Sequence, residues 1–288
     1  MFAPEFNYLR ANSVAEAGQL LTQHPGAKVL AGGHSLIPLL KLRLAAPEVV
    51  IDIGRIPELR GIDVRDGIIT IGAMTTHSQL AASEDLQANA QAIAEAAAQI
   101  GDPAVRNRGT IGGNVAHADP ASDLPQVLVT LGATFNLVGP GGSRRVSASD
   151  FFEGLMTTAL GDDELLTSID LPAAQAGQGS AYSKLPHPAS RYAVIGAAAS
   201  VTVADGVCTT ASVTVGGLTA KPTRASSVEA ALVGHALTDG AIESASKLVA
   251  NDLGDDLMGD IYASAEYRKA VAHVWVRRAI GAAAERAG

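Results

Sequence analysis

The sequence has only one cysteine, Cys208, among its 288 residues. A single cysteine excludes an intramolecular disulfide framework, a CxxC site and an iron–sulfur cluster held by this chain alone. Tryptophan also occurs once, and aromatic residues make up 4% of a chain that is 47% hydrophobic. A core of small aliphatic side chains favours α/β packing over a β-sandwich rich in aromatic residues.

Basic residues are scarce too, because 21 Lys and Arg face 29 Asp and Glu, which leaves a formal net charge of −8. Non-specific nucleic-acid binding needs a positive field that neutralises phosphates, so this class is excluded. No apolar run approaches the roughly 18 residues that a membrane helix needs. The amino terminus lacks the basic and then apolar order of a signal peptide. We therefore expect a cytoplasmic protein.

The common nucleotide and metal motifs are absent as well. The chain contains no GxGxxG fingerprint and no Gly-Lys pair for a P-loop, which disfavours the commonest nucleotide folds. Its seven histidines form neither HxxxH nor HExxH, and residues 117–123 lack the ligand ladder of a calcium loop. We expect no metal ligand here, and we interpret His117 as a loop or cofactor-proximal residue. No general acid or base stands out, so we assign no catalytic residue.

What the sequence does contain is an alternation of short strands and amphipathic helices, which predicts an α+β protein. A run of small residues, AAQAGQGS at 173–180, predicts a domain boundary. We place the first domain at 1–176, with two α/β subdomains of about 1–55 and 56–176. The second domain, 177–288, is predicted to contain a small antiparallel sheet and three helices.

Local signals predict several of these elements. The helices of the second domain follow a hairpin about Asp205-Gly206 and are predicted at 225–233, 239–250 and 263–286. In the first domain, an alanine-rich run predicts one helix over 87–100. The segment GTIGGNVAHADPASDLP at 109–125 holds too many turn residues for a helix or a strand, so we predict a loop.

Two glycine pairs carry the clearest functional signal: LAGGHSL at 30–36 and GTIGGN at 109–114. Glycine lets backbone N–H groups approach a ligand where a Cβ would collide, and successive N–H groups can form a concave anion site. Short polar side chains accompany each pair. We therefore predict a diphosphate held by main-chain amides of both turns, in a dinucleotide site unlike the common ones.

Three stretches together resemble one known family: AGGHSLIPLLKLRLA, TIGGNVAHADPASDLP and YSKL followed by RYAVIGAAA. They are similar to the FAD-binding medium subunits of the molybdenum hydroxylases, the xanthine dehydrogenase family, over essentially the whole chain. The resemblance implies a vanillyl-alcohol-oxidase-type (PCMH) FAD-binding domain of two α/β subdomains. It also implies a C-terminal domain with a small antiparallel sheet and a helical cluster.

Carried over by motif, the resemblance implies a set of residues that contact FAD. The two glycine turns would contribute Ala31, Gly32, Gly33, His34, Ser35, Leu36, Thr110, Ile111, Gly112, Gly113 and Asn114. Asp123 would accept hydrogen bonds from ribose or ribityl hydroxyls, and Leu166 would lie on the adenine side. Lys184 would approach the flavin, where an ammonium stabilises the negative charge of the reduced ring. Tyr192 would lie near the isoalloxazine.

Taken from the residues alone, several of these positions have simpler interpretations. A Gly-Gly turn is often only structural. Lys184 fits a solvated strand lysine, and Tyr192 fits a core tyrosine. Asp119 and Asp123 fit turn and cap residues before a helix predicted at 124–132; for Asp123, capping and ligand binding are compatible.

The resemblance implies an oxidoreductase subunit with FAD as its cofactor and two partners. A large subunit would hold the molybdenum cofactor, and a small subunit would hold [2Fe–2S] clusters. Electrons would pass from the clusters through this chain to a quinone or another acceptor, in a dimer of heterotrimers that reaches the inner face of the membrane. The resemblance is strongest to medium chains of aerobic carbon monoxide dehydrogenases. Alternatives are a purine, nicotine or aldehyde hydroxylase subunit, a non-catalytic nucleotide-binding subunit, and a stand-alone flavin oxidase.

Overall fold

The computed structural model describes residues 2–288. The chain forms three main sheets that pack with helices around three hydrophobic cores, and a short two-stranded ribbon. Within residues 2–288, no helix is both long and apolar enough to cross a membrane. The predicted α+β fold is confirmed.

The first part is a three-stranded parallel sheet of order β1-β3-β2. Its elements are β1 (Asn7–Arg10), α1 (Val14–Gln23), β2 (Lys28–Leu30), α2 (Leu36–Lys41) and β3 (Val49–Asp52). Helix α1 begins after Ser13, whose hydroxyl accepts a hydrogen bond from the Glu16 N–H at 3.1 Å. The Glu16 carboxylate accepts from the Asn12 N–H at 2.7 Å, one residue before the position of a reciprocal capping box.

The second part is a five-stranded antiparallel sheet of order β4-β5-β10-β6-β7, which packs against helices of this part and against α1 of the first part. Its strands are β4 (Ile62–Arg65), β5 (Ile68–Gly72), β6 (Thr134–Gly139), β7 (Gly142–Ser147) and β10 (Leu165–Pro172), and β8 (Phe152–Gly154) with β9 (Thr157–Thr158) makes the ribbon. Its helices are α3 (His77–Ala82), α4 (Glu84–Asn89), α5 (Gln91–Gln99), α6 (Pro103–Arg106), α7 (Ile111–His117), α8 (Leu124–Thr130) and α9 (Ala148–Phe151).

The prediction of one helix over 87–100 is wrong, because the chain breaks at Ala90 into α4 and α5. Ala90 has φ −157° and ψ 53° and is buried in the core of the second part. The N–H of Ala92, in the first turn of α5, is met by the Ser180 hydroxyl of a neighbouring strand at 3.4 Å. A tertiary contact therefore supports the break, which alanine propensity alone does not reveal.

The third part is a four-stranded antiparallel sheet of order β11-β12-β13-β14 that packs against its own helices and also against α5 and α8 of the second part. Its elements are β11 (Gln178–Pro186), β12 (Ala193–Ala204), β13 (Val207–Gly216), β14 (Thr223–Arg224), α10 (Ser226–Leu232), α11 (Asp239–Ser246), α12 (Val249–Asp252) and α13 (Ala265–Ala287). The predicted hairpin about Asp205-Gly206 joins β12 and β13. The predicted helix over 239–250 is two helices, α11 and α12, so this part has four helices where three were predicted. The Leu248 N–H donates to the Ala245 carbonyl at 3.0 Å, and this i→i−3 bond interrupts the α-helical pattern.

Candidate cofactor site

The first glycine turn connects β2 to α2 and leaves its amides free. Gly33 has φ +78°, in the left-handed region that glycine adopts readily. The backbone N–H groups of residues 32–36 donate to no other residue within 2–288. Consecutive unbonded N–H groups in one turn provide the concave donor set that an anion such as a diphosphate requires.

The second glycine turn is the start of a helix, so the prediction of a loop over 109–125 is wrong for residues 111–117. Thr110 caps α7, and its hydroxyl accepts from the Gly113 N–H at 3.2 Å. The next N–H groups also have protein partners: Ile111 donates to Thr75, Gly112 to Ala73 and Asn114 to Thr110, at 2.8–3.0 Å. The prediction that both turns offer amides to an anion therefore differs between them: the amides of residues 111–114 have protein partners, whereas those of residues 32–36 have none within 2–288.

The two turns are in direct contact although nearly eighty residues separate them. A Cβ on Gly32 would collide with the Arg108 carbonyl and would lie 2.8 Å from the Gly109 Cα. A Cβ on Gly112 would lie 2.7 Å from the Ala73 carbonyl oxygen. Glycine in the first turn is needed for contact with the second, and glycine in the second is needed for α7 to pack on the sheet.

A cavity of about 740 Å³ runs along these turns, within the size range of small-molecule and cofactor sites. Most of the predicted site residues line it: Ala31, Gly32, Gly33, His34, Ser35, Leu36, Thr110, Gly112, Gly113, Asn114, Asp123, Leu166 and Tyr192. Ile111 and Lys184 do not. Ile111 is fully buried in the core of the second part.

Lys184 lies behind Asp123 rather than on the cavity wall. Its Nζ is 2.8 Å from the Asp123 Oδ1 and donates to the Gln99 carbonyl at 3.2 Å, with a side chain that is 0% exposed. Burial raises the pKa of Asp123 and lowers the pKa of Lys184, while their mutual attraction opposes both shifts. Asp123 therefore faces the cavity as an acceptor, and it neutralises the Lys184 charge.

Two further residues of this cluster, Tyr182 and Gln126, were missed from the sequence. The Tyr182 hydroxyl donates to the Asp123 Oδ1 at 2.6 Å, and the Gln126 side chain donates to the Ser122 carbonyl at 2.9 Å. A Cβ on Gly196 in the middle of β12 would lie 2.5 Å from the Tyr182 hydroxyl. Glycine inside a strand often marks a close approach, and it was the available signal.

His77 is another residue that sequence reasoning missed. It lines the cavity, is 4% exposed, and its Nδ1 has no hydrogen-bond partner within residues 2–288. Its pKa is lowered to about 4, chiefly by burial and further by the nearby His34 and Arg106. The imidazole is neutral at pH 7, so it contributes hydrogen-bonding capacity and no charge to the wall.

We expect His77→Gln to flatten the pH dependence of stability between pH 6.5 and 4. The pKa of His77 is lower in the folded chain than in the unfolded chain, so protons bind the unfolded chain more tightly. The free energy of unfolding is therefore unaffected by protonation of His77 above pH 6.5 and decreases as the pH falls from 6.5 to about 4. A shift from 6.5 to about 4 corresponds to about 3 kcal/mol. Urea unfolding of both proteins across this range measures the difference, and parallel pH profiles would contradict the expectation.

Comparison with known proteins places the chain in a family. Residues 4–174 match the family described as the FAD binding domain in molybdopterin dehydrogenase, and residues 180–283 match the CO dehydrogenase flavoprotein C-terminal domain. The chain belongs to this family. It is an FAD-binding component of an oxidoreductase, and FAD is its cofactor.

Members of this FAD-binding family resemble the chain over its full length. It is 41% identical to the carbon monoxide dehydrogenase medium chain of Afipia carboxidovorans, covering 100% of this chain and 99% of that one. It is 36% identical to the glyceraldehyde dehydrogenase medium chain of Sulfolobus acidocaldarius, covering 97% and 98%. A solved carbon monoxide dehydrogenase structure from Hydrogenophaga pseudoflava superimposes with a TM-score of 0.95 at 42% identity, covering 99% of each chain.

The residues that line the cavity fit FAD, independently of the comparison with relatives. The free amides of the first turn suit the diphosphate, and the two turns meet so closely that a Cβ at Gly32 would force them apart. The Asn114 Oδ1 is buried without a hydrogen-bond partner in residues 2–288, and Asp123 retains acceptor capacity toward the cavity. The donor and acceptor set therefore matches a phosphate-bearing and hydroxyl-bearing ligand.

Proposed function

We propose that this chain is the FAD-containing medium subunit of a carbon monoxide dehydrogenase-type molybdenum hydroxylase. The observation that carries the proposal is the match of both parts of the chain, end to end, to a carbon monoxide dehydrogenase medium chain at 41% identity. The division at about residue 176 is proposed as the boundary between two domains, supported by a hydrophobic core whose buried residues all lie between 181 and 287.

The partners we propose are a large subunit with the molybdenum cofactor and a small subunit with [2Fe–2S] clusters. With one cysteine, this chain cannot supply the ligands of a cluster. It would receive electrons from the small subunit and pass them to a quinone or another acceptor. We further propose a dimer of heterotrimers as the complete assembly.

The chain's own residues bind and orient the cofactor in this proposal. The amides of residues 33–36 would hold the diphosphate, Asp123 would accept hydrogen bonds from ribityl hydroxyls, and Tyr192 would lie against the isoalloxazine. Leu166 would border the adenine. FAD supplies the redox chemistry, and the protein supplies position and electrostatics.

Purification of the tagged chain from its own organism tests this assignment. We expect FAD in the absorbance spectrum, copurifying chains that carry molybdenum and [2Fe–2S] clusters, and carbon monoxide-dependent reduction of an acceptor dye. Flavin bands that are absent and are not restored by added FAD would contradict the cofactor site. Partners without a molybdenum-binding chain would contradict the assembly, and the mass of the native complex tests the dimer of heterotrimers.

A second candidate is the medium subunit of an aldehyde hydroxylase, favoured by the 36% identity to a glyceraldehyde dehydrogenase medium chain. Both candidates use this chain in the same way, since the substrate would be oxidised on the large subunit. The same purified complex distinguishes them, because dye reduction with glyceraldehyde and not with carbon monoxide would select the aldehyde enzyme.

A further inference from the structure

One charged residue on the cavity wall, Arg191, has no role in the site described so far. It lies between β11 and β12, beside Tyr192, and its side chain is exposed. Its guanidinium makes no hydrogen bond or ion pair with any residue of 2–288. An unpaired cation on the wall of a cofactor cavity is free to interact with a bound anion.

Arg191 is held over the cavity by a short, internally bonded turn. The Arg191 N–H donates to the His187 carbonyl, and the His187 N–H donates to the Tyr192 carbonyl, both at 2.8 Å. The His187 ring also accepts from the Ser190 N–H at 3.3 Å and packs edge-on against Tyr262 with ring centroids 4.9 Å apart. The turn therefore fixes where the Arg191 backbone lies.

The backbone of Arg191 has φ +61°, in the left-handed region where glycine or asparagine is more common. Any residue with a Cβ is less favourable than glycine at such a position, and residues held in this conformation cluster at functional sites. Glycine would suit this turn better. The arginine at this position is therefore better explained by what its side chain does in the cavity than by the turn.

The charge balance at this end of the cavity shows what Arg191 adds. Lys184 is paired with Asp123 and is off the wall, so its ammonium offers no excess charge to a ligand. The Asp119 carboxylate accepts from the Ala121 N–H at 2.9 Å and is also off the wall. Arg191 lies within electrostatic reach of this pair, since its charge lowers the pKa of both Asp123 and Lys184. It is the uncompensated positive charge that faces the cavity here.

The residues beside Arg191 indicate which part of the cofactor meets its charge; this step rests on the proposed function. Tyr192 is 44% exposed on the wall and offers an aromatic face to a flat ring system. Asp123, which we assign to the ribityl hydroxyls, lines the same cavity as Arg191 and Tyr192, so the flavin ring joined to the ribityl chain is placed beside these two residues. Uptake of two electrons from the small subunit and one proton from solvent leaves bound flavin one negative charge richer.

We infer that Arg191 raises the reduction potential of bound FAD by holding a positive charge against the ring that becomes anionic. The sequence-based expectation gave this role to Lys184. The geometry transfers it to Arg191, because Lys184 is neutralised by its carboxylate partner whereas Arg191 is unpaired. Arg191 acts on the redox equilibrium and is not needed to hold the diphosphate, which has the amides of the first turn.

Spectroelectrochemical titration of the flavin in the purified complex tests this inference with three variants. We expect Arg191→Gln to shift the equilibrium about tenfold toward oxidised FAD, which is about 30 mV for a two-electron couple. Arg191→Lys should keep most of the parent potential. Lys28→Gln is the matched control, since it removes a second exposed cation from the same wall, on β2 before the first glycine turn. We expect no shift for this control.

Several outcomes would overturn the inference without touching the proposed function. One is a flavin reduction potential in Arg191→Gln equal to that of the parent complex. Another is a shift of the potential in Lys28→Gln as large as that in Arg191→Gln. If Arg191→Gln loses FAD but binds FMN like the parent, Arg191 lies at the adenine end instead. A parent complex that carries no flavin would instead mean that the proposed function itself fails.

Discussion

Gly32→Ala is expected to weaken FAD binding by about 100-fold, because overpacking against rigid backbone costs a few kcal/mol and 1.4 kcal/mol is a factor of ten. The added Cβ would collide with the Arg108 carbonyl and would lie 2.8 Å from the Gly109 Cα, so no side chain can rotate away. The two glycine turns must separate, and the free amides of residues 32–36 move with them. Titration of the FAD-depleted protein with FAD, followed by flavin fluorescence, measures the affinity.

Gly18→Ala is the matched control for this substitution. Gly18 lies inside α1, and a Cβ there would meet nothing within 4 Å. Alanine should stabilise the helix by about 0.5–1 kcal/mol and leave FAD affinity unchanged. If Gly32→Ala binds FAD as tightly as Gly18→Ala does, the contact between the two turns does not shape the cofactor site.

The fold was predictable where one side chain or one turn decides a local structure. Asp205-Gly206 turns the β12–β13 hairpin as predicted. Ser13 and Thr76 cap α1 and α3 through their own hydroxyls, which is the role that serine and threonine favour before a helix. Prediction failed where distant contacts decide. Ala90 ends α4 although alanine favours helices, and α7 forms despite Gly112 and Gly113, because Thr110 caps it and Ala73 accepts the Gly112 N–H.

The site was predictable to a similar extent. The glycine pairs and their donors indicated a diphosphate site, but spacing along the chain does not show which amides remain free. Strand alternation places Ser180, Tyr182 and Lys184 on one face of β11. It does not reveal that the start of α8 brings Asp123 against that face, which is why Tyr182 was missed and Lys184 was expected at the flavin.

Lys184→Met is expected to destabilise the chain by about 3–5 kcal/mol, because it leaves the buried Asp123 carboxylate without its cation. The two side chains are 0% and 5% exposed, so water cannot replace the missing ammonium. Without Lys184 the pKa of Asp123 rises further, since the cation that opposed the effect of burial is gone. The protonated carboxyl then becomes the stable buried form, and the loss of stability should shrink as the pH is lowered. Urea unfolding at several pH values measures both effects.

Two controls separate loss of the pair from loss of a side chain. Lys247→Met removes an equally long lysine from an exposed pair with Glu243 at 3.0 Å, where both side chains are about half exposed, so we expect a change below about 1 kcal/mol. The double variant Lys184→Met with Asp123→Asn removes both buried charges and should recover much of the stability, with little dependence on pH in the acid range. If Lys184→Met costs no more than Lys247→Met, or if the double variant is as unstable as the single one, Asp123 is not held as a buried carboxylate by Lys184. The charge balance that leaves Arg191 as the uncompensated cation beside Asp123 would then be incorrect as well.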